Sequence, residues 1–488
     1  MGLIEVSGLG ERSFVYRSRI EAPAGTAFQW HARPGAFERL SPPWEKAQLI
    51  SESGGIAPGG RKEICVRLGP FALKWVAEHG PWIPGREFTD TQLEGPFARW
   101  EHRHRFEPDG NESCFLEDQI HYKLPFGTVG DLTAGRAVHR RLSSLFAYRH
   151  RITQGDLALD QRYSLPVPQK ILLSGASGLV GSGLSHFLRA SGHEVTPLVR
   201  GDSALRDKAV RWNPLEGELR AQDLEGFDAV VHLAGENIAS RRWNRAQKER
   251  ILKSRVQGTQ LLCNALSRLA RPPRVLISAS AVGFYGNRGD LLLEEDAPAG
   301  RGFLADVSQA WEEATSPAER QGMRVVRLRI GVVLTPAGGA LARMLLPFRL
   351  GAGGVLGSGS QFMSWIALDD LLGTLLHCLA TTAVRGAVNA VAPAPVTNRE
   401  FTRALGRVLR RPAILPAPAP ALRLALGEMA DELLLASLRV VPARLLSTGY
   451  KFLYPDIESA LSHMLGKAEF SFGQFNPPVS RTMEKTAG

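Results

Sequence analysis

The chain has 488 residues, 44% hydrophobic and 22% charged, which suits two or three globular domains and excludes a disordered or fibrous chain. Its net charge of +11 comes from 11 Lys and 48 Arg scattered in runs of no more than two, a general Arg bias that argues against a nucleic-acid surface while leaving charge for a phosphate-rich cofactor. No uncharged apolar run approaches the roughly 18 residues of a membrane span. The first residues lack a signal-peptide succession, and Cys65, Cys114, Cys263 and Cys378 have no zinc spacing. The expectation is a cytoplasmic protein with reduced thiols, no nucleic acid and no membrane.

Residues 1–155 read mostly as strands. Phe14 to Ile20 alternates apolar with polar residues, as a half-buried strand does, and two short helices follow at Ala27 to Trp30 and Ala36 to Leu40. Strands are predicted at 46–51, 61–68, 71–79, 86–93, 98–106 and 114–123. After Gly127 the period becomes helical, with Val138, Leu142, Leu145 and Phe146 on one face. His102 and His104 lie two apart on one strand face, with Glu78 and His79 as neighbours, but no third ligand has a diagnostic spacing. They read as packed or surface histidines, and no metal ligand is assigned. Trp44, Trp75, Trp82 and Trp100 suit either a core or a cavity wall.

This order resembles the helix-grip fold of the START and polyketide-cyclase type. The stretches that carry the resemblance are Trp30-His-Ala-Arg-Pro-Gly-Ala-Phe37, Pro42-Pro-Trp44, Gly95-Pro-Phe97 and Trp100-Glu-His102. It implies an apolar ligand held between sheet and helix. The polar, then proline-punctuated stretch 156–168 reads as a linker.

The next stretch runs from an apolar strand (Ile171, Leu172, Leu173) into Gly175-Ala176-Ser177-Gly178-Leu179-Val180-Gly181. An amphipathic helix with Leu184, Phe187 and Leu188 follows, and then a second strand, Glu194 to Val199. This is the strand, turn and helix of a dinucleotide-binding unit, with glycines where a Cβ would block the turn, the pyrophosphate or the helix packing. Arg200, at the end of the second strand, suits a 2′-phosphate and favours NADP over NAD, with Asp202 as the competing acid.

From 169 onward strand and helix signals alternate, which predicts a doubly wound parallel sheet over 169–386. The strand Phe227 to Leu233 opens into Ala234-Gly235-Glu236, so Leu233, Ala234, Gly235 and Glu236 are candidate cofactor contacts, with Arg255 on the following helix. The strand Arg274 to Ile277 runs into Ser278-Ala-Ser280-Ala-Val-Gly-Phe-Tyr285-Gly286. That stretch resembles the serine-bearing strand end of extended short-chain dehydrogenases/reductases. The resemblance implies Ser280 as the substrate-side serine and Ser278 as the cofactor-side one.

Such enzymes use a Tyr-x-x-x-Lys pair on the next helix, the lysine lowering the tyrosine's pKa. Here Phe303 stands for the tyrosine and Val307 for the lysine, and no lysine occurs between Lys253 and Lys451. The chain resembles the atypical, epimerase-like branch of that family. The motifs are Leu233-Ala-Gly-Glu-Asn-Ile238 with Arg242-Trp243, Ser280 to Gly286, Trp311-Glu312, Arg327 to Leu334, Pro347 to Gly351 and Ser364-Trp-Ile366 with Asp369-Asp370. Tyr285 is the candidate replacement for the missing hydroxyl, with Glu236 and Arg329 as further residues that can face the nicotinamide.

Gly351 to Gln361 is expected to border the substrate cleft, and Asp369 or Asp370 to cap a helix. A small C-terminal α+β domain is expected over 387–466, with a leucine-rich helix at 428–438 and a polar tail beyond. Two functions stay open: an NADP-binding reductase or epimerase for an unknown small molecule, or a non-catalytic sensor of nucleotide and apolar ligand. Cyclase or dehydratase chemistry would need acid/base residues paired in the N-terminal cavity. Homodimerisation is implied only by analogy with extended relatives.

Overall fold

The computed structural model describes residues 3–7, 11–45, 47–68, 71–201 and 208–467. Asp202 and the tail past 467 lie outside the described residues. Eight strands come first: β1 (Leu3–Ser7), β2 (Glu11–Ile20), β3 (Ala47–Ser53), β4 (Arg61–Leu68), β5 (Phe71–Ile83), β6 (Glu87–Glu94), β7 (Arg99–Asp109) and β8 (Ser113–Lys123). They form one antiparallel sheet in the order β1-β2-β8-β7-β6-β5-β4-β3. Helices α1 (Ala24–Ala32) and α2 (Ala36–Leu40) interrupt it, and α3 (Gly127–Arg162) closes it. The sheet grips α3 because alternate residues point inward: Phe14, Trp100, Ile120 and Tyr122 pack on Leu142 and Phe146.

Helix α3 runs seven residues further than the linker expectation allowed. Residues 156–162 are its last two turns, since Leu157 and Leu159 are buried and Asp156 takes two hydrogen bonds from Arg39. The polar composition that suggested a linker thus belongs partly to a buried ion pair.

The central region continues with β9 (Lys170–Ser174), α4 (Leu179–Ala190), β10 (Glu194–Val199), β11 (Val210–Arg211), β12 (Ala229–His232) and α5 (Arg245–Leu266). Next come β13 (Val275–Ala281), β14 (Leu292–Leu293), α6 (Phe303–Glu313), α7 (Ser316–Arg320), β15 (Arg324–Ile330) and β16 (Val332–Thr335). Then follow α8 (Gly339–Arg349), β17 (Phe362–Met363), β18 (Trp365–Ala367), α9 (Leu368–Ala380) and β19 (Gly386–Ala390). Seven strands pair in parallel in the order β11-β10-β9-β12-β13-β15-β19, so the winding direction reverses between β9 and β12. Helices cover both faces: α4 and α9 bury Leu184, Phe187, Leu188 and Leu372 on one, and α5 buries Leu262 and Leu266 on the other. Each such side chain contributes about 1.5–3 kcal/mol.

The C-terminal part has β20 (Val396–Thr397), α10 (Asn398–Leu409), α11 (Ala419–Leu426), α12 (Glu428–Ala430), β21 (Arg439–Val440), α13 (Ala443–Ser447) and α14 (Ile457–Met464). The leucine-rich helix expected at 428–438 is instead the three-residue α12 and a single π turn, Asp431–Leu435. Short pairs β17–β20 and β14–β21 tie this part to the centre. Among the described residues, no helix is long and apolar enough to cross a membrane.

The N-terminal domain docks on the outside of α4 and α9. Buried Arg39 spans the join, bonding Asp156 of α3 at 2.7 Å and Asp369 of α9 at 2.9 Å, while His463 Nε2 approaches Asp369 at 3.2 Å. Asp369 therefore joins domains and does not cap its own helix. Asp370 accepts from the backbone of Leu453 and Tyr454 and from the Tyr450 hydroxyl. Both expected caps serve tertiary joins.

Candidate nucleotide-binding site

The switch point between β9 and β12 brings two sequence stretches face to face. Gly175 sits at φ +71°, and a Cβ there would lie 2.9 Å from the carbonyl of Leu233. Only glycine permits both the turn and this approach. A Cβ on Gly181 would overlap the carbonyl oxygen of Gly175, so the first turn of α4 packs directly on the loop. Gly178 is the residue before α4, and no side chain caps that helix end. Ser177 and Gly178 are exposed, while Ala176, Leu179 and Val180 are half-buried. The free N–H groups and positive end of α4 thus open onto a crevice at the carboxyl ends of the strands.

Ser174, which sequence reasoning passed over, holds the other wall. Its Oγ accepts from the backbone N–H of Leu233 at 3.1 Å and of Ala234 at 3.3 Å. With both lone pairs used, its own proton goes to His232 Nδ1, 2.6 Å away. His232 Nε2 then meets Thr259 Oγ1 at 3.0 Å, where the Trp311 indole also donates. Burial pushes the pKa of His232 down to about 4, so this relay holds a neutral imidazole.

Arg255 lies beneath the crevice wall, packed against Gly235 and over the Trp311 ring. It donates to the carbonyl of Glu236 at 3.0 Å, and burial lowers its pKa to about 10 against the opposing pull of Glu236. Glu236 is tied back as well, its N–H donating to Ser254 Oγ. Arg200 is exposed just past β10, on the side where a ribose would extend.

The second cluster of expected residues forms a closed floor. Ser278 and Ser280 lie within β13, both buried. Ser280 Oγ donates to Glu312 at 2.7 Å, and Glu312 in turn takes a two-pronged pair from Arg329 at 2.8 and 2.9 Å. Arg329 also donates to the Tyr285 hydroxyl at 2.9 Å, and that hydroxyl donates to Asn389 Oδ1 at 2.7 Å. Burial would lower the pKa of Arg329, but Glu312 outweighs it; burial raises that of Tyr285.

Tyr285 has no exposed surface and both hydroxyl functions are engaged, so the structure seats this candidate catalytic hydroxyl inside the scaffold. Arg329 is likewise committed. Ser280 keeps lone pairs but has given its proton to Glu312, so it can accept from a substrate and not donate.

Helix α6 starts at Phe303, the expected tyrosine position. Its ring meets Trp243 at 5.1 Å and Lys248 Nζ at 4.8 Å, on the rim of a pocket of about 450 Å³ that includes Glu428. Glu432 caps α6 from the C-terminal part, accepting from the N–H groups of Phe303 and Leu304. The Gly351–Gln361 loop, expected beside a cleft, is laced to residues 413–417 by Leu415 N–H to Gly353 and Ala417 N–H to Val355. A Cβ on Gly354 would overlap the Leu415 carbonyl, so close backbone pairing accounts for that glycine.

A separate cavity of about 560 Å³ lies between the N-terminal sheet and α3. Trp75, Trp100, Leu73, Leu142 and Leu145 supply apolar wall, and His31, His79, Asp90, His102 and His104 one polar end. Of the four tryptophans, Trp75 and Trp100 face it. Trp44 packs on Tyr148 and Trp82 on Phe28.

Residues 171–390 match the NAD dependent epimerase/dehydratase family, residues 20–150 the polyketide cyclase / dehydrase and lipid transport family, and residues 417–464 a domain of unknown function, DUF1731. An epimerase family protein of Mycobacterium bovis is 45% identical over 293 residues, covering 60% of this chain and 96% of its own. The chain belongs to the epimerase family. The human epimerase family protein SDR39U1, solved with NADPH, is 37% identical with a TM-score of 0.57, over 61% of this chain and 99% of its own. A structure from Corynebacterium glutamicum described as a nucleoside-diphosphate sugar epimerase is 34% identical with a TM-score of 0.75. It covers 93% of this chain and 90% of its own, so the likeness extends across the helix-grip domain as well.

Proposed function

We propose that this epimerase-family protein binds NADP at the β9–β12 crevice and acts as an atypical short-chain reductase or epimerase on a small molecule, with NAD as a weaker alternative. The observation that carries the reading is the glycine loop at the topological switch point. Gly175 and Gly181 leave no room for a side chain, and α4 presents an uncapped N-terminus to the crevice. The NADPH in the human relative's structure supports the same cofactor class. Gly175, Ala176, Ser177, Gly178, Leu179, Val180 and Gly181 would surround the pyrophosphate, and Leu233 to Glu236 the far wall. Arg200 would take the 2′-phosphate. The bound nucleotide would supply or accept hydride; this chain's residues bind and orient it.

A nucleotide and ligand sensor is the second reading. It is favoured by Phe303 and Val307 at the dyad positions and by a Ser280 proton already donated to Glu312. The N-terminal cavity, with its apolar wall, would hold the second ligand.

Replacing Arg200 with Asp tests the cofactor assignment. NADPH fluorescence titration should show at least tenfold weaker NADPH binding with NADH little changed; equal losses for both would refute the 2′-phosphate role. Steady oxidation of NADPH with a panel of carbonyl compounds separates enzyme from sensor, since a sensor binds without turnover.

A further inference from the structure

We propose that the N-terminal cavity holds one divalent first-row transition-metal ion on Asp90 Oδ2, His102 Nδ1 and His104 Nε2. The register of the sheet makes the site. Asp90 of β6 lies opposite His102 of β7, and His104 lies opposite Asp118 of β8, so all four side chains share the inner face. Asp90, His102 and His104 line the cavity, and their ligand atoms fall within 4.8 Å of one another.

Proton placement gives the reason. His102 Nε2 donates to Asp118 Oδ1 at 2.9 Å, and His104 Nδ1 lies 2.6 Å from the same oxygen. Asp118 Oδ2 takes His150 Nε2 at 2.6 Å, and His150 Nδ1 meets Ser18 Oγ at 2.6 Å. Asp118 thus draws the ring protons to its own side. In singly protonated rings the opposite nitrogens are acceptors, and both face Asp90 Oδ2, at 3.2 Å from His102 and 3.5 Å from His104.

Three acceptors converging on one point repel unless a positive occupant sits between them. Those two separations are close to the roughly 3.0–3.4 Å between neighbouring ligands on an ion with bonds of about 2.1 Å, and the remaining pair lies within 4.8 Å. Two imidazoles and one carboxylate on one face leave coordination positions open, here towards the cavity. Asp118 is the outer carboxylate that orients the histidines of such sites.

His79 is an independent sign of a ligand. It is 6% exposed, lies opposite Asp90 across β5 and β6, and lines the same cavity. Its Nδ1 faces the Thr89 carbonyl at 3.3 Å, which leaves Nε2 as an acceptor, and that atom is buried with no partner. It suits a water or hydroxyl held by the ion. With walls of Trp75, Trp100 and Leu142, the ligand class is a mostly apolar molecule with one oxygen donor. The proposal does not depend on the nucleotide reading.

A proton on His102 is the competing occupant. Full-length protein stripped with chelator and titrated with Co(II) should develop visible ligand-field absorption saturating at one ion per chain. Zn(II) should be retained one-to-one through desalting. Asp90→Asn and His104→Gln should lose at least 100-fold in Co(II) affinity. Asp118→Asn, which touches only the histidines, should lose about 10–100-fold while keeping one-to-one stoichiometry. Circular dichroism and Trp75/Trp100 fluorescence check folding, and the wild-type stoichiometry decides alone if a variant does not fold. No stoichiometric Co(II) or Zn(II) in the wild type, or equal retention in folded Asp90→Asn and His104→Gln, would overturn the site.

Discussion

The crevice at β9–β12 and the floor at β13–β15 stand side by side on one sheet, yet they treat polar groups in opposite ways. In the crevice, backbone N–H groups of α4 face outward with no capping side chain, and glycines keep the surface bare. On the floor, Ser280, Glu312, Arg329, Tyr285 and Asn389 answer one another in a closed chain. The lesson is that conspicuous side chains do not by themselves mark chemistry. A buried cluster whose hydrogen bonds close on one another holds its own shape, and a binding site shows in groups held ready without partners.

That contrast breaks most visibly if the floor is opened. Arg329→Met leaves the largely enclosed Glu312 carboxylate without its counter-charge, only the Ser280 hydroxyl still donating to it, and should cost about 3–5 kcal/mol in urea unfolding, most of it recovered in the double variant with Glu312→Leu. A cost below 1 kcal/mol would mean that the floor is not a buried ion pair.

The crevice should instead show its effect in binding. Gly181→Ala forces the α4 turn away from Gly175 and should weaken NADPH by at least 100-fold, about 3 kcal/mol. Unchanged affinity would remove the loop from the site.

The relay under the crevice supplies a pH test of similar or smaller size. His232 takes a proton near pH 6.5 when unfolded and only near 4 when folded, because burial resists the charge. Acid therefore favours unfolding between pH 6.5 and 4, and stability falls through that window by up to about 3 kcal/mol. His232→Gln keeps a donor and an acceptor but does not titrate, so its urea midpoint should fall less steeply with acid; an unchanged slope would contradict the neutral relay.

The smallest expected change is Tyr285→Phe. It removes the hydrogen bond to Asn389 and the one accepted from Arg329, and should cost about 2 kcal/mol, with NADPH affinity unaltered. A large loss of turnover with intact stability would return Tyr285 to the reaction.

The glycine loop was legible because its constraint is local: strand, turn and helix are consecutive, and each glycine answers to a neighbour in the same unit. Seven of the eight strands of the helix-grip sheet were legible in the same way, and the edge strand β1 was not. Long-range partnerships were not. Asp90 lies 12 positions before His102 and meets it only through the β6–β7 register, so histidine spacing carried no hint of it. Asp156 looked like linker because its partner Arg39 is 117 residues away, and Asp369 looked like a cap because Arg39 is 330 away. Tyr285 stood out as an aromatic hydroxyl near a catalytic strand, while Arg329 and Asn389, which consume that hydroxyl, come from two other strands.

Calorimetric titration of the full-length protein with NADPH and, separately, NADH tests the central claim most directly. The crevice predicts one NADPH per chain at micromolar or tighter affinity, with NADH at least tenfold weaker. Absence of binding by either nucleotide, or a preference for NADH, would contradict it.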